Sequence, residues 1–189
     1  QDLDLLVECF GGVENTLERL DGLFTADTKM EGEDVTPDIS GLIGQYVHGN
    51  EPSHHIIYFY TMLGEPWKAA DRLYEVMATM YSTEPDGLSG NEDVGQMSAW
   101  YVMTTLGFYP VEPASGKYVL GVPMVDGAEI DVEGGIFRVE RLGYSEANRY
   151  VQSVELNGVA LDRNYITHEE VIAGGLLKFN MGAEKSVWY

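Results

Sequence analysis

Three adjacent polar residues in the stretch 87–101 have the types and the spacing to do chemistry. Asn91, Glu92 and Asp93 lie between glycines and directly precede an apolar helical pattern. The glycines permit backbone conformations that are closed to other residues, and they let a ligand approach closely. Such a cluster at a helix start can bind a cation, activate a water molecule or cap the helix. Three polar groups together favour a functional site over a cap alone.

A second polar stretch, residues 48–55, has the same character and reads His-Gly-Asn-Glu-Pro-Ser-His-His. Pro52 suits the first turn of a helix, so Asn50 and Glu51 are expected at or just before a helix N-terminus, with their side-chain oxygens free. The histidines lack the spacing of a helical zinc pair, and zinc is therefore not predicted. Oxygen donors dominate both stretches, which is the preference of a hard cation such as calcium.

The two stretches together resemble glycoside hydrolase family 92, whose members are calcium-dependent exo-acting α-mannosidases. The resemblance is carried by residues 48–55 and 90–100, which stand in the family's order, and residues 151–158 also resemble its C-terminal β region. It implies that this chain is the C-terminal part of a longer enzyme. The missing parts would be the N-terminal β domain, which is an expected partner of this chain, and the start of the catalytic domain.

The resemblance implies roles for the acids and amides of both stretches. Asp93 matches the family's general base, while Asn91 stands where some members have a second Asp that assists the water. Glu92 is the alternative base and a further expected substrate contact. Asn50 and Glu51 match the calcium ligands, and in the family this ion also holds the hydroxyls of a mannose-containing glycan.

The histidine stretch carries the expected substrate contacts. His48 and Gly49 resemble the subsite for the leaving group, and His54 is a further expected contact. Members that prefer α1,2 linkages are expected to carry Glu where Gly49 stands, so the linkage is left open. Whether His54 and His55 support the site or belong to the core is also open.

No glutamate of this chain matches the family's general acid. Inversion requires a carboxylic acid and a carboxylate base about 6.5–9.5 Å apart. Glu8 and Glu14 lie in plain helical segments. We therefore expect the parent to remove terminal α-mannose from glycans and this chain alone to be inactive. The alternatives are a non-catalytic carbohydrate- or calcium-binding module and another toroid-fold glycosidase or lyase, of the trehalase-like or uronate-acting kind.

Charge and hydropathy exclude several classes of partner. The formal net charge of the 189 residues is −20, from 31 acidic and 11 basic residues. Nucleic acid and anionic membranes require positive charge, and acidic substrates are disfavoured as well. No apolar run approaches the roughly 20 residues of a membrane span, and no signal peptide is recognised. The location of the parent stays open, with a secreted, periplasmic or surface-associated enzyme expected. Cys9 is alone and is expected in the core.

The elements that must position these residues indicate an α+β fold. Residues 1–110 are predicted as helical hairpins, which the resemblance makes part of an (α/α)6 toroid, and residues 111–189 as an antiparallel β region. Helical patterns cover residues 2–10, 13–24, 52–63, 66–81 and 97–106. The acidic stretch 25–40 is predicted to be a solvated loop. The dipeptide 157–158, Asn-Gly, predicts a tight hairpin turn.

Overall fold

A computed structural model describes residues 2–29 and 39–189 of the chain, so most of the predicted acidic loop lies outside the described residues. The described helices are α1 (Leu3–Phe10), α2 (Val13–Thr25), α3 (Tyr58–Met62), α4 (Pro66–Thr79), α5 (Gln96–Thr105) and α6 (His168–Ile172). The described strands are β1 (Leu42–Ile43), β2 (Tyr46–Val47), β3 (Phe108–Tyr109), β4 (Lys117–Leu120), β5 (Gly127–Val132), β6 (Gly135–Leu142), β7 (Tyr150–Leu156), β8 (Val159–Ala160), β9 (Tyr165–Thr167) and β10 (Gly175–Gly182). The prediction of an α+β protein is confirmed.

The chain divides into two compact units. The first comprises Gln1–Ile56 and Tyr74–Tyr101, and the second comprises Ile57–Leu73 and Val102–Tyr189. The predicted boundary between residues 110 and 111 stays a prediction, as does the (α/α)6 toroid. None of the helices within residues 2–29 and 39–189 has both the length and the hydropathy required to cross a bilayer.

The first unit contains both polar stretches. Its helix α1 begins at Asp2, whose side chain accepts a hydrogen bond from the Leu5 N–H at 2.9 Å, as an N-cap does. The buried positions of α2 are Thr16, Leu20 and Phe24, which follow helical spacing. The hairpin of β1 and β2 then leads into residues 48–55. Its residue Tyr46 packs on Phe24, with 4.9 Å between the ring centroids.

The second unit contains two larger sheets. Five strands lie in the order β5-β6-β10-β7-β8, and three lie in the order β3-β4-β9. The central strand β10 buries Leu177 and Phe179 on one face, as the alternation of a strand requires. The turn between β7 and β8 has positive φ at Asn157 and Gly158, which confirms the predicted tight turn.

The predicted all-antiparallel arrangement of the C-terminal region is wrong for one pair of strands. β6 and β10 run parallel, with Phe137 opposite Gly175, whereas the other paired strands of this sheet are antiparallel. A parallel pair needs a long crossover connection. Here the connection consists of β7, β8, β9 and α6. No local sequence pattern predicts such a long crossover.

Two further predictions are corrected. Residues 52–63 do not form one helix: a 3₁₀ turn at Glu51–Ser53 precedes the short α3, because hydrogen bonds such as His54 N–H to the Glu51 carbonyl span three residues. Cys9 is exposed, because Leu3, Leu6, Val7 and Phe10 form the inner face of α1 at helical spacing and Cys9 lies outside that face.

Candidate active site

The turn that carries Asp93 has an unusual backbone. Asp93, Val94 and Gly95 have φ angles of 46°, 60° and 95°, and α5 begins immediately afterwards at Gln96. Three successive residues in the left-handed region are unfavourable, above all for the β-branched Val94. The turn is closed by the Gln96 N–H, which donates to the Asp93 carbonyl at 3.3 Å. The backbone therefore presents the Asp93 side chain, which is exposed, directly at the start of a helix.

Glu92 acts as a cap in this structure. Its Oε1 accepts from the Ser98 N–H at 2.9 Å, and its Oε2 accepts from the Ser98 hydroxyl at 2.8 Å. Both carboxylate oxygens are thus engaged with the first turn of α5, where a negative charge is favourable. Of the three predicted roles for this cluster, namely cation binding, activation of water and helix capping, Glu92 shows helix capping. Its predicted substrate contact and its alternative role as base stay predictions.

Gly49 lies where two backbone segments pass each other closely. A Cβ atom on Gly49 would lie 2.4 Å from Ser40 Oγ and 2.7 Å from the Ser89 carbonyl oxygen. Only glycine fits this position without displacement of its neighbours. The residue joins the two polar stretches by packing, and its predicted place in a substrate subsite stays a prediction.

His48 is fully buried, and both of its ring nitrogens are hydrogen-bonded. Its Nδ1 lies 2.9 Å from the Tyr46 hydroxyl, and its Nε2 lies 2.7 Å from the Tyr81 hydroxyl. Tyr81 donates its single proton to the Met97 carbonyl at 3.2 Å. The Tyr81 oxygen must therefore accept from His48 Nε2–H, and His48 Nδ1 accepts from Tyr46. Burial, reinforced by the neighbouring His54, lowers the pKa of His48 to about 3.

His54 is buried as well and is bonded at its backbone and its ring. The ring Nε2 donates to the His48 carbonyl at 3.0 Å, while Nδ1 lies 3.1 Å from Gln96 Nε2. The carbonyl of His54 accepts from the Trp100 indole N–H at 3.0 Å. Burial lowers the pKa of His54 below its ordinary value, although the bond to the His48 carbonyl acts in the opposite direction. His54 therefore links residues 48–54 to α5 through hydrogen bonds of its ring and its carbonyl.

Glu51 and Asp93 are brought together from the two polar stretches. A hydrogen bond between their side chains, reinforced by the negative charge of Glu51, raises the pKa of Asp93 above its ordinary value. Two adjacent carboxylates repel each other unless a proton or a cation lies between them. The pair therefore concentrates negative charge at one point of the first unit.

The donors around this pair fit a hard cation. Glu51 Oε1 is buried and has no hydrogen-bond partner within the described residues, which is costly for a charged oxygen unless an ion or water occupies the space. The adjacent Asn50 is exposed and offers an amide oxygen. In the described part of the chain, no group of three or more His, Cys, Asp or Glu residues has a metal-binding arrangement. Asn50 and non-protein oxygens would have to complete the coordination.

Seven of the eight predicted site residues fall into two groups, and Glu92, which caps α5, belongs to neither. Glu51 and Asp93 are in contact, and Asn50 and Asn91 are exposed, whereas His48, Gly49 and His54 are buried. The predicted substrate contacts of the buried residues stay predictions. No site role was predicted for Tyr46, Tyr81, Gln96 or Trp100. Their polar atoms form hydrogen bonds with the two buried histidines. The only sequence signal for this role would have been the presence of tyrosine, glutamine and tryptophan side chains able to bond a buried histidine.

Comparison with protein families gives a match over almost the whole chain. Residues 1–183 match the glycosyl hydrolase family 92 catalytic domain. Among individual proteins, an uncharacterized secreted glycosidase from Arthroderma benhamiae is 28% identical over 191 residues, which cover 99% of this chain and 22% of the relative.

Solved structures of the same family are similar as well. A family 92 α-mannosidase from Bacteroides thetaiotaomicron, in complex with mannoimidazole, is 39% identical with a TM-score of 0.83, covering 92% of this chain and 23% of its own. A family 92 inverting mannosidase from the same organism is 35% identical with a TM-score of 0.78, covering 95% of this chain and 25% of its own. This chain therefore spans about a quarter of the length of these relatives.

Proposed function

Because the chain belongs to glycoside hydrolase family 92, we propose that it supplies the base and the calcium ligands of an inverting exo-α-mannosidase that removes terminal α-mannose from glycans. The observation that carries the proposal is the contact between Glu51 and Asp93, with its effect on the pKa of Asp93. Related structures support the substrate class, since they are described as α-mannosidases and one as an inverting mannosidase. The proposal places the helices within an (α/α)6 toroid of the parent enzyme.

Asp93 is the proposed general base. A base works best when its pKa lies near the working pH, and the neighbouring Glu51 shifts the pKa of Asp93 upward in that direction. The exposed carboxylate can take a proton from a water molecule on one face of the sugar. The neighbouring Asn91 can orient that water through its amide, but an amide cannot accept the proton.

Asn50 and Glu51 are the proposed calcium ligands. Their oxygens suit a hard cation, and the unpartnered, buried Oε1 of Glu51 supports the assignment. When bound, calcium supplies positive charge that holds vicinal sugar hydroxyls and stabilises the ring distortion of the transition state. With the neutral amide of Asn50 and the single carboxylate of Glu51 as its protein ligands, the bound ion retains a net positive charge.

The proposed general acid comes from outside this chain. Glu92 is occupied by Ser98, and Glu8 and Glu14 lie on α1 and α2 without a place in the site described above. The chain spans about a quarter of its relatives, which leaves room for this acid elsewhere in the parent. The secreted relative supports a parent that acts outside the cell.

Binding and turnover measurements on this chain test the proposal. Calorimetry is expected to detect one calcium site, and mannose or mannoimidazole is expected to bind only when calcium is present. Hydrolysis of an aryl α-mannoside is expected to be negligible. Failure to bind either calcium or mannose would overturn the proposal. If the chain instead hydrolyses the substrate at enzyme-like rates, the external general acid is disproved. Loss of that hydrolysis in Asp93→Asn, but not in the exposed control Asp86→Asn, would still support Asp93 as the base.

A further inference from the structure

Gln96 is bonded to both polar stretches at once. Its backbone N–H donates to the Asp93 carbonyl at 3.3 Å, and its side-chain Nε2 lies 3.1 Å from Nδ1 of His54, 42 residues away in sequence. One residue therefore connects the turn of the proposed base with the segment that carries the proposed calcium ligands.

The chemistry of the His54 ring explains why an amide is needed at position 96. The ring Nε2 faces a carbonyl oxygen, that of His48, and must therefore carry the proton. The other nitrogen, Nδ1, is then a pure acceptor, and Gln96 supplies an NH₂ donor to it. Neither a carboxylate nor an apolar side chain of the same length can make this bond.

The ring of His54 in turn closes the segment that holds Asn50 and Glu51. Two hydrogen bonds of 3.0 Å span this short segment. The His54 ring donates to the His48 carbonyl, and the His54 backbone N–H donates to the Glu51 carbonyl. Trp100, one helical turn after Gln96 on the same face of α5, donates to the His54 carbonyl. The backbone that carries Glu51 is thus linked through His54 to two residues of α5.

We propose that Gln96 is a positioning residue, which acts through His54 to hold the Glu51 carboxylate beside Asp93 and thereby sets the affinity of the site for calcium. The inference rests on the proposed function, because it presupposes that Glu51 binds the ion.

Calcium titrations of the whole chain test this role with two variants of nearly equal size. Gln96→Met removes the donor, and Gln96→Glu replaces it with an acceptor. Both are expected to weaken calcium binding by about fivefold or more, as the loss of one buried hydrogen bond implies. Gln152→Met is the matched control, since the side-chain NH₂ of Gln152 also donates hydrogen bonds, in its case to the carbonyls of Glu184 at 2.8 Å and Tyr150 at 3.3 Å. It is expected to leave calcium affinity unchanged.

A readout that does not depend on calcium identifies the bond itself. Long-range ¹H–¹⁵N spectra are expected to report His54 protonated on Nε2 in the wild type, with a change in the Nδ1 shift in both Gln96 variants and none in Gln152→Met. If the wild type binds calcium and the affinity of either Gln96 variant lies within twofold of the wild-type affinity, the positioning role is overturned while the proposed function stands. If the wild type binds no calcium, the proposed calcium site fails first, and this inference fails with it.

Discussion

Glu51 and Asp93, which are far apart in sequence, lie side by side in the first unit, and their hydrogen bond raises the pKa of Asp93. Opposite positions of these two carboxyl groups would have excluded a shared site. Their contact instead creates a point of negative charge that requires a proton or a cation. The buried, unpartnered Oε1 of Glu51 identifies the side chain where an ion would be bound.

Removal of the Glu51 charge is expected to weaken calcium binding. Glu51→Gln retains the size of the side chain but loses one anionic ligand, and the affinity is expected to fall by about tenfold or more. Isothermal titration calorimetry measures the change. Glu84→Gln, at an exposed position of the same unit, is the charge-matched control. Equal affinities in the two variants would exclude Glu51 as a ligand.

Relief of backbone strain at Val94 is expected to stabilise the chain. Val94 is fully exposed and has φ of 60°, a conformation that Asn adopts far more readily than a β-branched residue. Val94→Asn is expected to raise the free energy of unfolding by about 1 kcal/mol, because the left-handed conformation costs a residue with a Cβ atom roughly 1–2 kcal/mol and Asn offsets part of this cost. Urea denaturation tests this. Val102→Asn, at an exposed position inside α5, should bring no gain, and a Val94 variant less stable than wild type would refute the strain.

The close packing at Gly49 predicts opposite effects for two glycine substitutions. Gly49→Ala would place a Cβ atom 2.4 Å from Ser40 Oγ and is expected to destabilise the chain by about 1–3 kcal/mol. Gly22→Ala, inside α2 with no atom within 4 Å of the added Cβ, is expected to stabilise it by about 0.5–1 kcal/mol. Thermal unfolding of both variants checks the signs. A neutral Gly49→Ala would mean that the segments at residues 40 and 89 move apart easily.

Low pH is expected to destabilise the second unit by removing the charge of Glu170, which caps the N-terminus of α6. Burial acts to raise the pKa of Glu170, but its bonds from Arg163 and the Thr167 N–H outweigh burial and lower the pKa below 4.5. A carboxyl with a lowered folded-state pKa stabilises the fold above its unfolded pKa, and this stabilisation is lost as the pH falls through the folded value.

A double comparison isolates this contribution. Glu170→Gln is expected to lower the free energy of unfolding at neutral pH and to make that free energy fall less steeply between neutral pH and about pH 3. Glu169→Gln, at an exposed neighbouring position, should follow the wild-type curve. Urea unfolding at several pH values measures both. Parallel curves for wild type and Glu170→Gln would exclude this carboxyl as a source of acid sensitivity.

Local patterns in the sequence predicted the elements and the two candidate turns. Helical spacing identified α1, α2, α4 and α5, and the Asn157-Gly158 pair identified a hairpin turn. These predictions succeeded because helix faces and tight turns depend on residues close together in the chain. The same reasoning failed at Cys9, where the apolar neighbours concealed which face of the helix is exposed.

Long-range pairing, by contrast, was decided only by the tertiary structure. The parallel register of β6 and β10 depends on a crossover of four elements, which leaves no local signal. The use of the polar residues was decided in the same way: Glu92 caps α5, whereas Glu51, from the other stretch, faces Asp93. Residue types and spacing determine which side chains are able to bind a cation or take a proton. Which of them meet is determined by packing between distant segments, here by the buried bonds of His48 and His54 to Tyr81, Gln96 and Trp100.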